Sequence, residues 1–192
     1  MTCPARSRVI PGAVAATCAA IVTAATAVSL WPLLGPMSDE FHWQPSALRV
    51  SLAVSLVVSG IAFFPLLHKA PPHAGVRAMV FTGCSTSGAV MLLVIPNLTH
   101  LWQFWLALVA LGAMRSVTLA GCWRELKHVL PERVALFVAV GAAAGGALLF
   151  TPWISDLVYR NSWREGAAAC AALLLVVATP IAYILLPGTE TG

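Results

Sequence analysis

The stretch "LVALGAMRSVTLAGC", Leu108 to Cys122, is apolar or small almost throughout and carries one arginine, Arg115. A guanidinium stays charged under ordinary conditions and offers five N–H donors in a planar fork that suits anionic oxygens. Read as a helix, the stretch sets Leu111, Gly112, Thr118 and Leu119 one turn from Arg115. One edge of that stripe is small and polar, so another helix can come close and the threonine hydroxyl can accept from the guanidinium. Two uses of Arg115 fit: lining a wet cavity that takes an anion, or snorkelling to headgroups or pairing with another subunit. Helical side chains lean toward the helix N-terminus. Here that is away from the nearer end, since Trp123 lies eight residues on and Trp102 thirteen residues back. The direction favours the cavity. Arg115, Gly112 and Thr118 are the pathway candidates, with Arg49 a further one at the mouth of another apolar run, where a plain headgroup contact is the alternative.

Other chemistries lack their residues. The five histidines (His42, His68, His73, His100, His128) fall in connectors or at the ends of apolar runs, without HxxxH or HExxH spacing. The cysteines at 3, 18, 84, 122 and 170 form no CxxC pair and read as small buried hydrophobes. "GCSTSG" (83–88) resembles the Gly-x-Ser-Gly of an intramembrane serine protease only superficially, because no apolar run contains a histidine. No carboxylate is expected deep in any run either. An enzyme, a metal and a cofactor are not expected. Eleven basic residues scattered over short connectors make no nucleic-acid patch.

The elements that must position Arg115 follow from composition. The chain is 59% hydrophobic and 9% charged, against about 25% charged in a soluble domain, so its solvent is lipid. Six runs reach spanning length at 14–34, 47–67, 78–96, 101–122, 134–154 and 166–186. The first is too long for a signal-peptide core and five more follow, so it counts as a span. The connectors are "GPMSDEFHWQPS", "HKAPPHAGVR", "PNLTH", "RELKHVLPER" and "SDLVYRNSWRE". Residues 1–13 and 187–192 form cytoplasmic ends around a bundle over 14–186.

Basic residues set the orientation. Arg6, Arg8, Lys69, Arg77, Arg124, Lys127 and Arg133 share one side, and Arg49, Arg160 and Arg164 the other. Both termini are therefore expected in the cytoplasm. Trp31, Trp43, Trp102, Trp105, Trp153 and Trp163 gather at the outer ends of spans, as indole prefers, with Trp123 alone at an inner end. The sequon at Asn97 falls on the outer side. In the fifth span Gly141 and Gly145 have the GxxxG spacing that permits close helix packing, and Pro152 marks a kink or an end.

The order of spans and several local patterns resemble the N-terminal six-helix half of a major facilitator superfamily transporter. "SDEFHWQPSALRVSLAVSLVVSG" (38–60) is similar to the first outer loop and second helix of the monocarboxylate-transporter-like and oxalate/formate-antiporter-like branches. "LPERVALFVAVGAAAGG" (130–146) resembles the turn from helix four to helix five. Its "GAAAGG" (141–146) is similar to the antiporter motif GPxxGG, with Ala142 at the proline position and Gly141, Gly145 and Gly146 matching. "NSWREGAAACAALL" resembles the entry to helix six, and "LPGTETG" the start of the central loop. Of the GxLaDrxGrr signature after helix two, Gly75 and Arg77 match, while His68 and Pro72 stand at the first glycine and the aspartate. Leu108 stands at the usual helix-four arginine and Gly112 at the motif glycine.

The resemblance implies an all-α membrane protein of six transmembrane helices, half of a major facilitator superfamily fold built from two inverted three-helix repeats. It implies transport of a small solute, an organic anion if Arg115 lines the pathway. It also implies a multi-pass protein of the cell membrane that needs a second six-helix half or a homodimer partner, since one half gives one wall of an alternating-access site. The competing expectation is a non-transporting remnant or accessory membrane subunit.

Overall fold

A computed structural model describes residues 6–69 and 75–186, with side chains over 10–66 and 75–186. Cys3, residues 70–74 of the second connector and the tail 187–192 lie outside the described residues. Among the described residues there are helices and no strands. Six helices are long and apolar enough to cross a membrane: α1 (Ile10–Phe41), α2 (Pro45–Leu66), α3 (Val76–Asn97), α4 (Leu101–Val129), α5 (Glu132–Arg160) and α6 (Trp163–Leu185).

The helices run further than apolar length predicts. Most of the expected first connector is helical: α1 passes through a 3-10 turn at Trp31–Leu33 and continues over Leu34–Phe41. Leu34 and Met37 are buried there, and the helix stops at His42, whose φ of 54° is left-handed. Polar residues tolerate a helix where one face packs inward. Only Leu130 and Pro131 separate α4 from α5, and only Asn161 and Ser162 separate α5 from α6. The Ser162 hydroxyl caps α6 by accepting from the Glu165 amide at 3.3 Å. Pro152 neither ends nor interrupts α5.

Two helices widen before a proline. The stretch of α3 over Val90–Val94 is π-helical and leads to Pro96, and that of α6 over Leu173–Ala178 leads to Pro180. Proline cannot donate to the preceding turn. Side chains meet nearby carbonyls instead: Asn97 Nδ2 donates to Leu93 O and Thr179 Oγ1 to Leu174 O, both at 2.8 Å.

The main packing pairs are α2 on α4, α1 on α5, α3 on α4, α1 on α4, α1 on α6 and α3 on α6. Thus α1, α3, α4 and α6 form the centre, and α2 and α5 flank it. The core has two parts. Toward the tryptophan-rich end it is large, with Leu33, Met37, Phe104, Ile154 and Trp163. Toward the basic end it is alanine-rich, with Ala15, Ala16, Ala19, Ala20 and Ala178, and small side chains let helices come close.

Candidate functional site

Gly112, Arg115 and Thr118 share α4 but face three different ways. A Cβ at Gly112 would collide with the backbone carbonyl of Ser55 on α2. Ser55 Oγ donates to Leu108 O and Ser116 Oγ to Ser59 O, both at 2.8 Å, so Gly112 belongs to a polar zipper between α2 and α4. Thr118 is buried against α3, where its hydroxyl occupies the place a Cβ on Gly83 would need. That hydroxyl donates to Met114 O at 3.2 Å, and it accepts no hydrogen bond from Arg115.

Arg115 points to the centre of the bundle. It is 8% exposed and borders a small cavity with Thr23, Thr26 and Leu30 of α1, Ser87 and Met91 of α3, Leu111, and Leu174 of α6. The cavity measures about 10 Å³, room for about one water. Within this single chain, then, Gly112 and Thr118 do not share the space that Arg115 borders. Its chamber is far too small for an organic anion, and its two neighbours in sequence serve helix packing. The side chain ends between helices and not at a helix end.

A larger opening lies elsewhere. Between α2 and α5, over a floor of α1 and α4, the basic half of the bundle holds a cleft of about 850 Å³. Ser59, Gly60 and Phe63 form one wall, Leu136, Ala139 and Ala143 the other, and Ala20 and Leu119 the floor. At its mouth stand Arg124, Lys127, His128 and Glu132. Lys127 Nζ pairs with Glu132 Oε1 at 3.2 Å, and Arg124 Nη1 contacts Met79 Sδ at 3.7 Å. The sequence signal for this site lay in the connector "RELKHVLPER", where charge resumes beside an apolar run.

The remaining candidates separate. Arg49 is exposed on the first turns of α2, at the tryptophan end and apart from the cleft. Gly75 precedes α3, and Arg77 ties α3 to the end of α6, with Nε donating to Leu186 O at 2.8 Å and the guanidinium 5.4 Å from the Tyr183 ring centre. Close packing of α5 does not use Gly141 and Gly145, beside which a Cβ would meet open space. It uses Gly146, whose Cβ would collide with the Ile21 carbonyl of α1.

Two features have no counterpart in the sequence reading. Glu125, expected in the fourth connector, is helical and buried four residues before the end of α4. The tryptophan end carries a clasp between α1 and α6: Glu40 accepts from Arg164 Nη1 at 2.9 Å and Nη2 at 2.6 Å, and from Trp163 Nε1 at 2.6 Å. Trp163 is therefore buried, whereas Trp31, Trp102 and Trp153 are exposed as an interfacial belt requires. No group of three or more metal-ligating side chains occurs among the described residues. No protein-family model, curated protein or solved structure matches the chain.

Proposed function

We propose that this chain is a six-helix half of a membrane transporter of the major facilitator superfamily type, moving a small organic anion by alternating access. The cleft between α2 and α5 carries the reading. It is large enough for a small solute, it opens where basic side chains cluster, and its α5 wall is the least buried of the six helices, with α2 level with α6 after it. Arg124 and Lys127 at its mouth supply the attraction for an anion in place of Arg115. A half of this kind needs an opposite wall, supplied by a second six-helix half or a second copy of the chain.

Most of the packing suits two inverted three-helix repeats, although α5 also packs on α6 without an α2–α3 counterpart of similar extent. Exchanging α1 with α4, α2 with α5 and α3 with α6 turns the pair α2–α4 into α5–α1 and α3–α4 into α6–α1, and leaves α1–α4 and α3–α6 in place. The third helix of each set widens to π before its proline. One glycine closes each flanking pair, Gly112 against Ser55 and Gly146 against Ile21.

The basic end faces the cytoplasm of the cell membrane in this reading, with both termini there. Reporter fusions at Gly192 and Asn97 should report opposite sides, and same-side signals would end the orientation. Function is tested by saturable uptake of radiolabelled small carboxylates into vesicles. Covalently linked pairs of the chain should take up solute and dilute monomers should not. Saturable uptake by monomers would remove the need for a second wall. No uptake by any assembly would leave the accessory-subunit or remnant reading, which the proline in place of the signature aspartate at position 72 favours.

A further inference from the structure

Arg115 has no hydrogen bond and no ion pair with any described residue. A buried guanidinium in that condition is costly, because the protein interior screens charge poorly. Its own helix offers Glu125 ten residues on, about 15 Å along the axis. The helices packed around it offer no nearer acid: α1 has Asp39 and Glu40 at its far end, α3 has none, and α6 has Glu165 in its first turn. Among the described residues no carboxylate is placed to pair with it, so the position is open to an external anion.

The cavity is equipped to hold one. Thr23 is 3% exposed, and its Oγ1 has no hydrogen-bond partner beyond the neighbouring Cys84 sulfur, a weak acceptor that its hydroxyl hydrogen can leave for a stronger one. Ser87 adds a second hydroxyl from α3. Thr26 is not available, since its hydroxyl donates to Thr23 O at 3.0 Å. The cavity lies where α3 and α6 are both π-helical, at Met91 and Leu174, and such segments are frequent at functional sites. Room for about one water admits a single monatomic ion and excludes a carboxylate.

We propose that Arg115, Thr23 and Ser87 form a chloride-binding site at the centre of the bundle, joining α1, α3 and α4 beneath the α6 wall. The guanidinium supplies the charge and the two hydroxyls donate to the ion. The site is separate from the α2–α5 cleft and stands whether or not the chain transports.

The test is thermal unfolding of the purified chain in detergent, at constant ionic strength, with sodium gluconate replaced stepwise by chloride, bromide or acetate. Chloride and bromide should raise the melting temperature saturably, by about 5 °C at saturation. Acetate should leave it at the gluconate value. The rise should vanish in Arg115→Gln, and Thr23→Val should weaken the apparent chloride affinity about ten-fold. Equal melting temperatures in chloride and gluconate would assign the cavity to water and overturn the site. So would an undiminished chloride effect in Arg115→Gln, and acetate acting as well as chloride would refute a monatomic occupant. Should Arg115→Gln fail to fold, Thr23→Val decides: unchanged chloride affinity in that variant rejects the site.

Discussion

Gly146→Leu should lower the melting temperature by roughly 5–10 °C, while Gly141→Leu and Gly145→Leu change it by no more than about 1 °C. All three glycines lie within six residues on α5, and simple spacing would give the GxxxG pair the larger effect. The geometry reverses that order. At Gly146 an added Cβ meets the backbone carbonyl of Ile21, which cannot rotate aside, so α5 must back away from α1. At Gly141 and Gly145 an added Cβ meets nothing, and removing glycine from a helix is mildly favourable. Gly112→Leu should behave like Gly146→Leu, because the Ser55 carbonyl blocks it and the 2.8 Å bonds of the α2–α4 zipper would stretch. Melting curves in one detergent compare the four variants directly. A larger loss at Gly141 than at Gly146 would contradict the packing of α5.

Ala143→Trp should reduce solute uptake more than ten-fold in the active assembly while leaving the melting temperature unchanged. Ala143 stands on the α5 wall of the cleft, and an indole there projects into the space that the proposed pathway needs. The same indole at Leu148, which is 77% exposed and does not line the cleft, should leave uptake intact. The pair separates blocking of the cleft from the mere bulk of tryptophan on α5. Equal uptake by wild type and Ala143→Trp would show that solute does not use this cleft.

The six spans were legible because lipid imposes a length that apolar runs display openly. Their extent was not: Leu34–Phe41 is polar enough to read as a connector, and only Met37 and Leu34 packing inward makes it helix. The depth of Arg115 could be counted along the chain, but its direction could not. Residues three apart on a helix are neighbours on its surface, and neighbouring positions on α4 meet different partners: Gly112 meets α2, Thr118 meets α3, and Arg115 faces a cavity bounded by α1, α3 and α6. Which helix stands opposite is a long-range fact. The same holds for the Glu40–Trp163 bond, whose partners are 123 residues apart. The cleft escaped notice because most of its lining is ordinary apolar helix surface, and only its charged mouth differs.

The flanking positions of α2 and α5 have a consequence for how the chain is made. Neither helix packs mainly on the helix just before it: α2 rests on α4, and α1 waits for α5. During synthesis α2 enters the membrane with its binding surface bare and stays so until α4 has followed, some sixty residues later. The serine hydroxyls of Ser55 and Ser59, destined for α4, meanwhile face lipid or the insertion machinery. A nascent chain halted after α3 therefore holds no settled hairpin of α1 and α2, and the arrival of α4 and α5 completes both flanks at once. Assembly of this bundle is a late event, and ribosome-bound chains ending before and after α4 should differ sharply in protease resistance at α2.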